Sequence, residues 1–253
     1  MLSPAAELAL LVAAAFSAGL VDAIGGGGGL ITVPALFTLG LGPHVALGTN
    51  KGQACFGAAS SLLTYVRRGG VDRERIGLGF LSGFVGSLAG ALLVLWIPPG
   101  PLKPVVLVLL GLAGFVMLFR DRLAKPLPHV TRSRVLLASI GLVIGAYDGF
   151  FGPGTGTLLI VAFSHFFGDT PTRASGNAKI VNFGSNLAAL IVFQSRAAIL
   201  WKIALPMSAA NMLGAALGAR LALRHGDRVV RGVVLVVLTL VAMKVLFDWI
   251  HGR

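Results

Sequence analysis

The chain is 253 residues long, 56% hydrophobic and only 12% charged, with a mean hydropathy of +0.88, whereas soluble domains carry roughly one-quarter charged residues. That composition excludes an ordinary water-soluble domain. The net charge of +12 does not call for nucleic acid, because the lysines and arginines fall in short gaps between apolar runs, where membrane topology accounts for them.

Apolar blocks recur at about 5–40, 46–66, 76–97, 102–119, 134–167, 175–194, 199–223 and 230–250. A run near 20 residues crosses a hydrocarbon core about 30 Å thick if helical. The blocks are continuously apolar and lack the period-two alternation of a membrane barrel, which leaves helices as the way to satisfy the backbone in lipid. The expected fold is an all-α polytopic membrane bundle of about eight transmembrane segments. The first segment carries Glu7 as its only charge before Leu20, so it lacks the basic start of a cleavable signal and reads as a mature helix.

The first and fifth blocks run to about 35 residues, and each is interrupted by glycines. Both are read as discontinuous helices, with re-entrant hairpins as the alternative. Lys125 to Arg134, with Pro126, Pro128 and His129, is the expected linker. It divides the chain into a first repeat at 1–124, a linker at 125–133 and a second repeat at 134–253. With alternating spans, Arg67, Arg68, Arg73 and Arg75 share a side with Arg120, Arg122, Lys125, Arg132 and Arg134, which should be cytoplasmic. Arg220, Arg224, Arg228 and Arg231 fall on the other side in that count and oppose it.

A shift of about 126 positions lays Gly19-Leu-Val-Asp22 on Gly145-Ala-Tyr-Asp148, Gly26 on Gly152 and Gly28 on Gly154. At a shift of about 128, Ala46, Gly48 and Lys51 fall on Ala174, Gly176 and Lys179, and Gly86, Gly90 and Ala91 on Gly214, Gly218 and Ala219. So long a period is the two-half plan of secondary transporters, with a site expected between the repeats. Four spans per half would make the repeats parallel; an extra crossing at each glycine patch would invert them.

The candidate site starts at the patches. Gly25 to Gly29 would be a poor helix interior, at about 0.8–1.0 kcal/mol per glycine relative to alanine. A broken helix exposes backbone N–H groups and a positive half-helix end, which suits an anion. Gly26, Gly27, Gly28 and Gly29 offer one such cradle and Gly152, Gly154, Thr155 and Gly156 a second. Close helix packing is the structural alternative. A nucleotide loop is disfavoured, since no Gly-Lys-Ser/Thr follows either patch. Gly86 with Gly90, and Gly214 with Gly218, read as packing positions.

Lys51 beside Asn50 and Lys179 near Asn177 repeat a charge at the edge of an apolar block. Each either attracts substrate or snorkels to headgroups. Asp22 and Asp148 lie inside apolar blocks and either carry protons or cap a half-helix. Gln53, Asn182, Asn186 and Asn211 could line a pathway or bond to neighbouring helices.

Gly19-Leu-Val-Asp-Ala-Ile-Gly-Gly-Gly-Gly-Gly-Leu-Ile-Thr-Val-Pro34, Ala46-Leu-Gly-Thr-Asn-Lys51 and their copies near 145 and 174 resemble the TauE/SafE family of sulfite exporters over nearly the whole chain. The resemblance implies an ATP-independent permease of the bacterial inner membrane for sulfite, thiosulfate, sulfonates or related anions. It carries the glycine patches, Asp22, Asp148, Lys51 and Lys179 into the site. The second copy has Gly-Asn-Ala-Lys where Thr often precedes Ala-Lys, which sets Asn177 apart.

The expectation is therefore a secondary anion transporter, open to proton coupling. Its partners are a small anionic substrate and the bilayer, with no nucleic acid and no cofactor, and a homo-oligomer is admitted. A single cysteine, Cys55, and five scattered histidines give no metal cluster and no nucleophile–base pair. A membrane-embedded enzyme or assembly factor is thus the weaker alternative, beside a passive anion channel.

Overall fold

The computed structural model describes residues 3–126 and 133–226, apart from the side chain of Asp121. The expected last block at about 230–250, Arg228 and Arg231, and the linker residues Pro128, His129 and Arg132 lie outside the described residues. Within them the chain is all-helical: α1 (Pro4–Gly25), α2 (Gly29–Phe37), α3 (Pro43–Arg67), a short 3-10 turn (Arg73–Arg75), α4 (Ile76–Trp96), α5 (Pro99–Leu123), α6 (Arg134–Phe150), α7 (Thr155–Phe167), α8 (Pro171–Ser195) and α9 (Trp201–His225).

The helix starts are written locally. Ser3 Oγ accepts from Ala6 N at 3.3 Å ahead of Pro4, and Ser133 Oγ accepts from Leu136 N at 3.2 Å, each satisfying a backbone donor that has no partner inside the helix. Pro43, Pro99 and Pro171 open α3, α5 and α8, where the missing N–H costs nothing.

Each glycine patch reverses the chain. Gly26 and Gly152 take φ of +76° and +100°, a region closed to most L-residues. After the reversal α2 lies back along α1, with Leu36 in one cluster with Leu11 and Ala15. Likewise α7 lies back along α6, with Phe163 and Phe167 beside Leu137 and Ile140. The two long apolar blocks are therefore helical hairpins rather than interrupted rods.

The helices of the two halves interlock through small residues. Gly86 and Gly90 of α4 sit against the backbone of Leu142 and Ala146, and Gly149 of α6 against Ser87, so α4 and α6 run side by side in the same direction. Gly214 and Gly218 of α9 sit against Phe16 and Leu20 of α1 in the same way. Such contact of backbone on backbone is open only where no Cβ intervenes. Helix α3 follows the direction of α1, with Ala46 near Leu11 at one end and the Tyr65 hydroxyl donating to Ala23 O at 2.8 Å toward the other. It runs against α8, since Gly48 faces Phe193 and Ala198 while Gly176 faces Tyr65 and Gly70. The two hairpins thus approach from opposite ends of the bundle.

The hairpins change the parity of the chain. Gly70 faces Leu223, and Leu223 packs with Tyr65 and Val71, which puts the ends of α3 and α9 together. Arg220 and Arg224 therefore lie at the same end as Arg67, Arg68, Arg73 and Arg75, not opposite them as a count of alternating spans places them. A hairpin returns the chain to the end it came from, so it adds no crossing.

Residues Pro4–Gly25, Arg73–Trp96 and Pro99–Arg120 form helices long and apolar enough to cross a membrane. The outer faces of α4 and α5 carry Leu81, Leu93, Trp96, Leu107, Val108 and Leu118 exposed. An apolar exterior around a polar interior suits lipid rather than water. By contrast α3, α8 and α9, at 25 residues each, bury polar side chains between them.

Candidate functional site

The hairpin tips meet. A Cβ at Gly26 would fall on the backbone of Gly156 and Thr157, and one at Gly29 would come within 3.0 Å of Pro153 Cα. The carbonyl of Gly25, at the end of α1, accepts from Thr157 Oγ1 at 3.0 Å and from the Arg120 guanidinium at 3.3 Å. Those bonds from the opposite hairpin and from α5 satisfy a helix-end carbonyl that has no partner of its own.

Two ion pairs flank this junction, and they cross between the halves. Lys179 of α8 donates from Nζ to Asp22 Oδ2 at 2.6 Å, on the α1–α2 hairpin. Lys51 of α3 donates to Asp148 Oδ1 at 2.7 Å, on the α6–α7 hairpin. The side chains of Lys51 and Asp148 are each 2% exposed, that of Lys179 is 0% exposed, and that of Asp22 is 27% exposed. In so dry a place each charge needs its partner, since an unpaired ion would cost several kcal/mol.

Asp148 has further donors: Thr155 Oγ1 at 3.0 Å, Asn186 Nδ2 at 3.3 Å, and the Ser185 hydroxyl at short range. Asp22 has one, the Gly28 N–H at 3.4 Å. Each aspartate pairs with a lysine; Asp22 also accepts a long bond from the Gly28 N–H just ahead of α2, whereas Asp148 accepts from side chains and from no backbone N–H at the start of α7.

A cavity of about 30 Å³ lies between these groups, room for roughly two waters. Asp22, Gly28, Gly29, Asn50, Lys51, Asp148, Gly152, Gly154 and Gly156 from the sequence-derived set line it, joined by Gln53, Ala54, Asn182, Asn186 and Asn211. Lys179 stands behind Asp22 rather than on the wall. Gly26 supports the contact between tips, Gly27 packs on Met117, and Thr155 is engaged by Asp148. Asn50 Oδ1 accepts from Thr32 Oγ1 at 2.6 Å and from Gln53 Nε2 at 3.0 Å, while the buried Gln53 Oε1 has no partner among the described residues.

Asn177 is not part of this site. Its Oδ1 accepts from Asp72 N at 2.8 Å and its Nδ2 donates to Asp169 Oδ2 at 2.7 Å, where Arg75 also donates at 2.7 Å. The Arg75 guanidinium lies 4.5 Å from the centre of the Phe167 ring, and Arg173 approaches Asp72 at 3.8 Å. This charged cluster closes the bundle at the arginine-rich end. At the other end the matching contact is Leu200 N donating to Thr49 Oγ1 at 3.1 Å, with Ala198, Ile199, Trp201 and Phe193 packed beside it. One closure is ionic and the other apolar.

Ser185 was not evident in the sequence as a site residue, yet the pattern was available: Asn182 and Asn186 lie three and seven places after Lys179, on one helical face. Among the described residues, no group of three or more His, Cys, Asp or Glu side chains is placed to hold a metal ion.

Lipid-facing helices around a buried, charge-paired polar junction define a membrane protein of the transporter class, and the comparisons agree. Residues 11–245 match the family described as sulfite exporter TauE/SafE, and the chain belongs to that family. It is 37% identical over 250 residues to a probable membrane transporter protein of Haemophilus influenzae, covering 96% of this chain and 97% of that one. It is 37% identical to probable membrane transporter protein ORF9 of a Sinorhizobium species, over 96% and 94% of the two chains. It is 35% identical to probable membrane transporter protein YfcA of Escherichia coli K12, over 97% and 91%. Their names describe transporters, not enzymes. No solved structure gives a significant match.

Proposed function

We propose that this chain is a secondary transporter of a small anion, sulfite or a related organosulfur compound, across the bacterial inner membrane, which it spans several times. One observation carries the reading: two Lys–Asp pairs, one buried and one partly buried, cross between the halves where two hairpin tips meet beside a polar cavity. The family description supplies sulfite as the leading substrate.

In this reading the halves at 1–124 and 134–253 are inverted repeats joined by 125–133, and the hairpins are re-entrant. The sequence repeat supports it, as do the opposed directions of α3 and α8 and the crosswise pairing of each lysine with the other half's hairpin. Inversion gives two related arrangements of one site, each open to one face, which is the requirement for alternating access.

The charge balance defines the transport step. Two lysines and two aspartates sum to zero, so an added anion leaves the site one charge negative even when it displaces a carboxylate from its lysine. A proton entering with it, onto the displaced carboxylate or the anion itself, restores neutrality and avoids burying a net charge in a low-dielectric site. Proton coupling follows. The glycine-patch amides at the start of α2 and α7 supply the remaining attraction through the half-helix ends.

The test is uptake of labelled sulfite, thiosulfate and a sulfonate into proteoliposomes, with and without a pH gradient, by wild type, Lys51→Ala and Lys179→Ala. Saturable uptake that the gradient drives and both variants lose is the expected result. Non-saturable flux would mean a channel, flux retained in both variants would move the site away from the lysines, and no flux for any anion would end the transport reading.

A further inference from the structure

The two ion pairs are copies in sequence and unlike in chemistry. The extra donors around Asp148 are Thr155, Ser185 and Asn186. The positions matching them in the first half are Gly29, Gly57 and Ala58, and none of these has a side chain that can donate. Among the described residues Asp22 consequently holds only Lys179 and one long backbone bond, and it is 27% exposed where Asp148 is 2% exposed. Asp22 lies on the cavity wall with Lys179 directly behind it.

A carboxylate fixed by a lysine and three neutral donors has little freedom to leave, since each charge-assisted bond adds to its hold. A carboxylate with a single strong partner can swing into the cavity. Lys179, at 0% side-chain exposure, would then need another anion, because a buried ammonium without one is costly. Asp22 stands on the cavity wall and Lys179 does not, so an oxyanion in the cavity reaches Lys179 Nζ only when the carboxylate moves off it.

The geometry points to a division of roles: Lys51–Asp148 is a fixed structural pair, and Asp22 is a displaceable internal anion that occupies Lys179 until a small oxyanion takes its place. This deepens the transport reading and rests on it for the anionic nature of the ligand. It makes Lys179 the substrate-binding lysine and leaves Lys51 in a positioning role.

The test uses the purified full-length chain in detergent, with gluconate as the bulky background anion and formate or sulfite as the probe. Asp22→Ala removes the internal anion and leaves room for the probe. Its melting temperature is expected to rise by about 5 °C or more at a hundredfold excess of probe over its dissociation constant, and the rise is expected to vanish in Asp22→Ala/Lys179→Ala. Asp22→Asn, held only by one long backbone bond, is expected to swing aside and show the rise as well, whereas Asp148→Asn, still held by Thr155, Ser185 and Asn186, is expected to keep its place and show none. No rise in Asp22→Ala, an equal rise in Asp148→Asn, or a rise that survives loss of Lys179 would overturn the proposal. Labelled sulfite and thiosulfate flux through wild type is measured alongside. Flux without the Asp22→Ala rise would overturn this inference alone, whereas the rise without flux would uphold the displaceable site and overturn transport.

Discussion

Removing one charge from the Lys51–Asp148 pair should cost far more than removing both. Each side chain is 2% exposed and the contact is 2.7 Å. Lys51→Met would leave a buried carboxylate with only neutral donors, and Asp148→Asn would leave a buried ammonium with no anion at all. Breaking a buried pair costs roughly 3–5 kcal/mol, with Lys51→Met toward the lower figure because Thr155, Ser185 and Asn186 still donate to the carboxylate. In Lys51→Met/Asp148→Asn both charges are gone and the same donors can bond to the new amide oxygen, so a net loss of about 1–2 kcal/mol is expected. The coupling between the two positions should then be at least roughly 4 kcal/mol. At about 2–4 °C per kcal/mol for a chain of this size, each single variant should melt roughly 6–20 °C below wild type. Tryptophan fluorescence of detergent-solubilised protein reads the melts. A double variant less stable than either single, or singles within about 1 kcal/mol of wild type, would refute the claim that the pair is buried and mutually dependent.

Gly26→Ala should destabilise by more than the roughly 1–2 kcal/mol of left-handed backbone strain, because the new Cβ also meets the backbone of Gly156 and Thr157; melting of the purified variant checks this. Gly90→Leu and Gly218→Leu should each part a helix pair, α4 from α6 and α9 from α1, and cost several kcal/mol, whereas Gly111→Ala and Gly114→Ala meet nothing within 4 Å and should be neutral or stabilising by up to about 1 kcal/mol apiece. Comparing the folded yield and melting temperature of the four variants tests the distinction. Arg75→Ala removes the 2.7 Å bond to Asp169 and the contact with Phe167 far from the cavity, so in a transport assay it should alter the maximal rate by severalfold with little change in half-saturating anion concentration. A change confined to half-saturation would place Arg75 in the substrate site instead.

Many of the candidate residues are legible because similar stretches near 19–51 and 145–179 double each signal. Asp22, Asp148, Lys51 and the glycines stood out as repeated charges and breaks in apolar blocks, and the structure gathers them at one junction. What sequence could not supply was direction. A run such as Gly25 to Gly29 breaks a helix whether the chain continues onward or turns back, and only the positive φ at Gly26 and Gly27 and the packing of Leu36 on Leu11 decide for the hairpin. That choice changes the parity of all later helices, which is why Arg220 and Arg224 were set at the opposite end from Arg67 and Arg68. The partners of the lysines were equally hidden, since Lys51 and Asp148 lie 97 positions apart. Asn177 lies away from the junction for a simpler reason: it neighbours Lys179 in sequence, but a step of two residues turns it to another face of α8, toward Asp72 and Asp169.

The most direct test of the account places an anion in the site by eye. Selenite is a heavier analogue of sulfite, and the anomalous scattering of selenium would locate it in crystals of the full chain grown or soaked with it. One ordered selenium is expected at the hairpin junction, its oxygens within hydrogen-bonding distance of Lys179 Nζ and the Asp22 carboxylate moved aside. Selenium bound only at the Arg75 cluster or on the outer surface, with Asp22 still on Lys179 under saturating selenite, would contradict it.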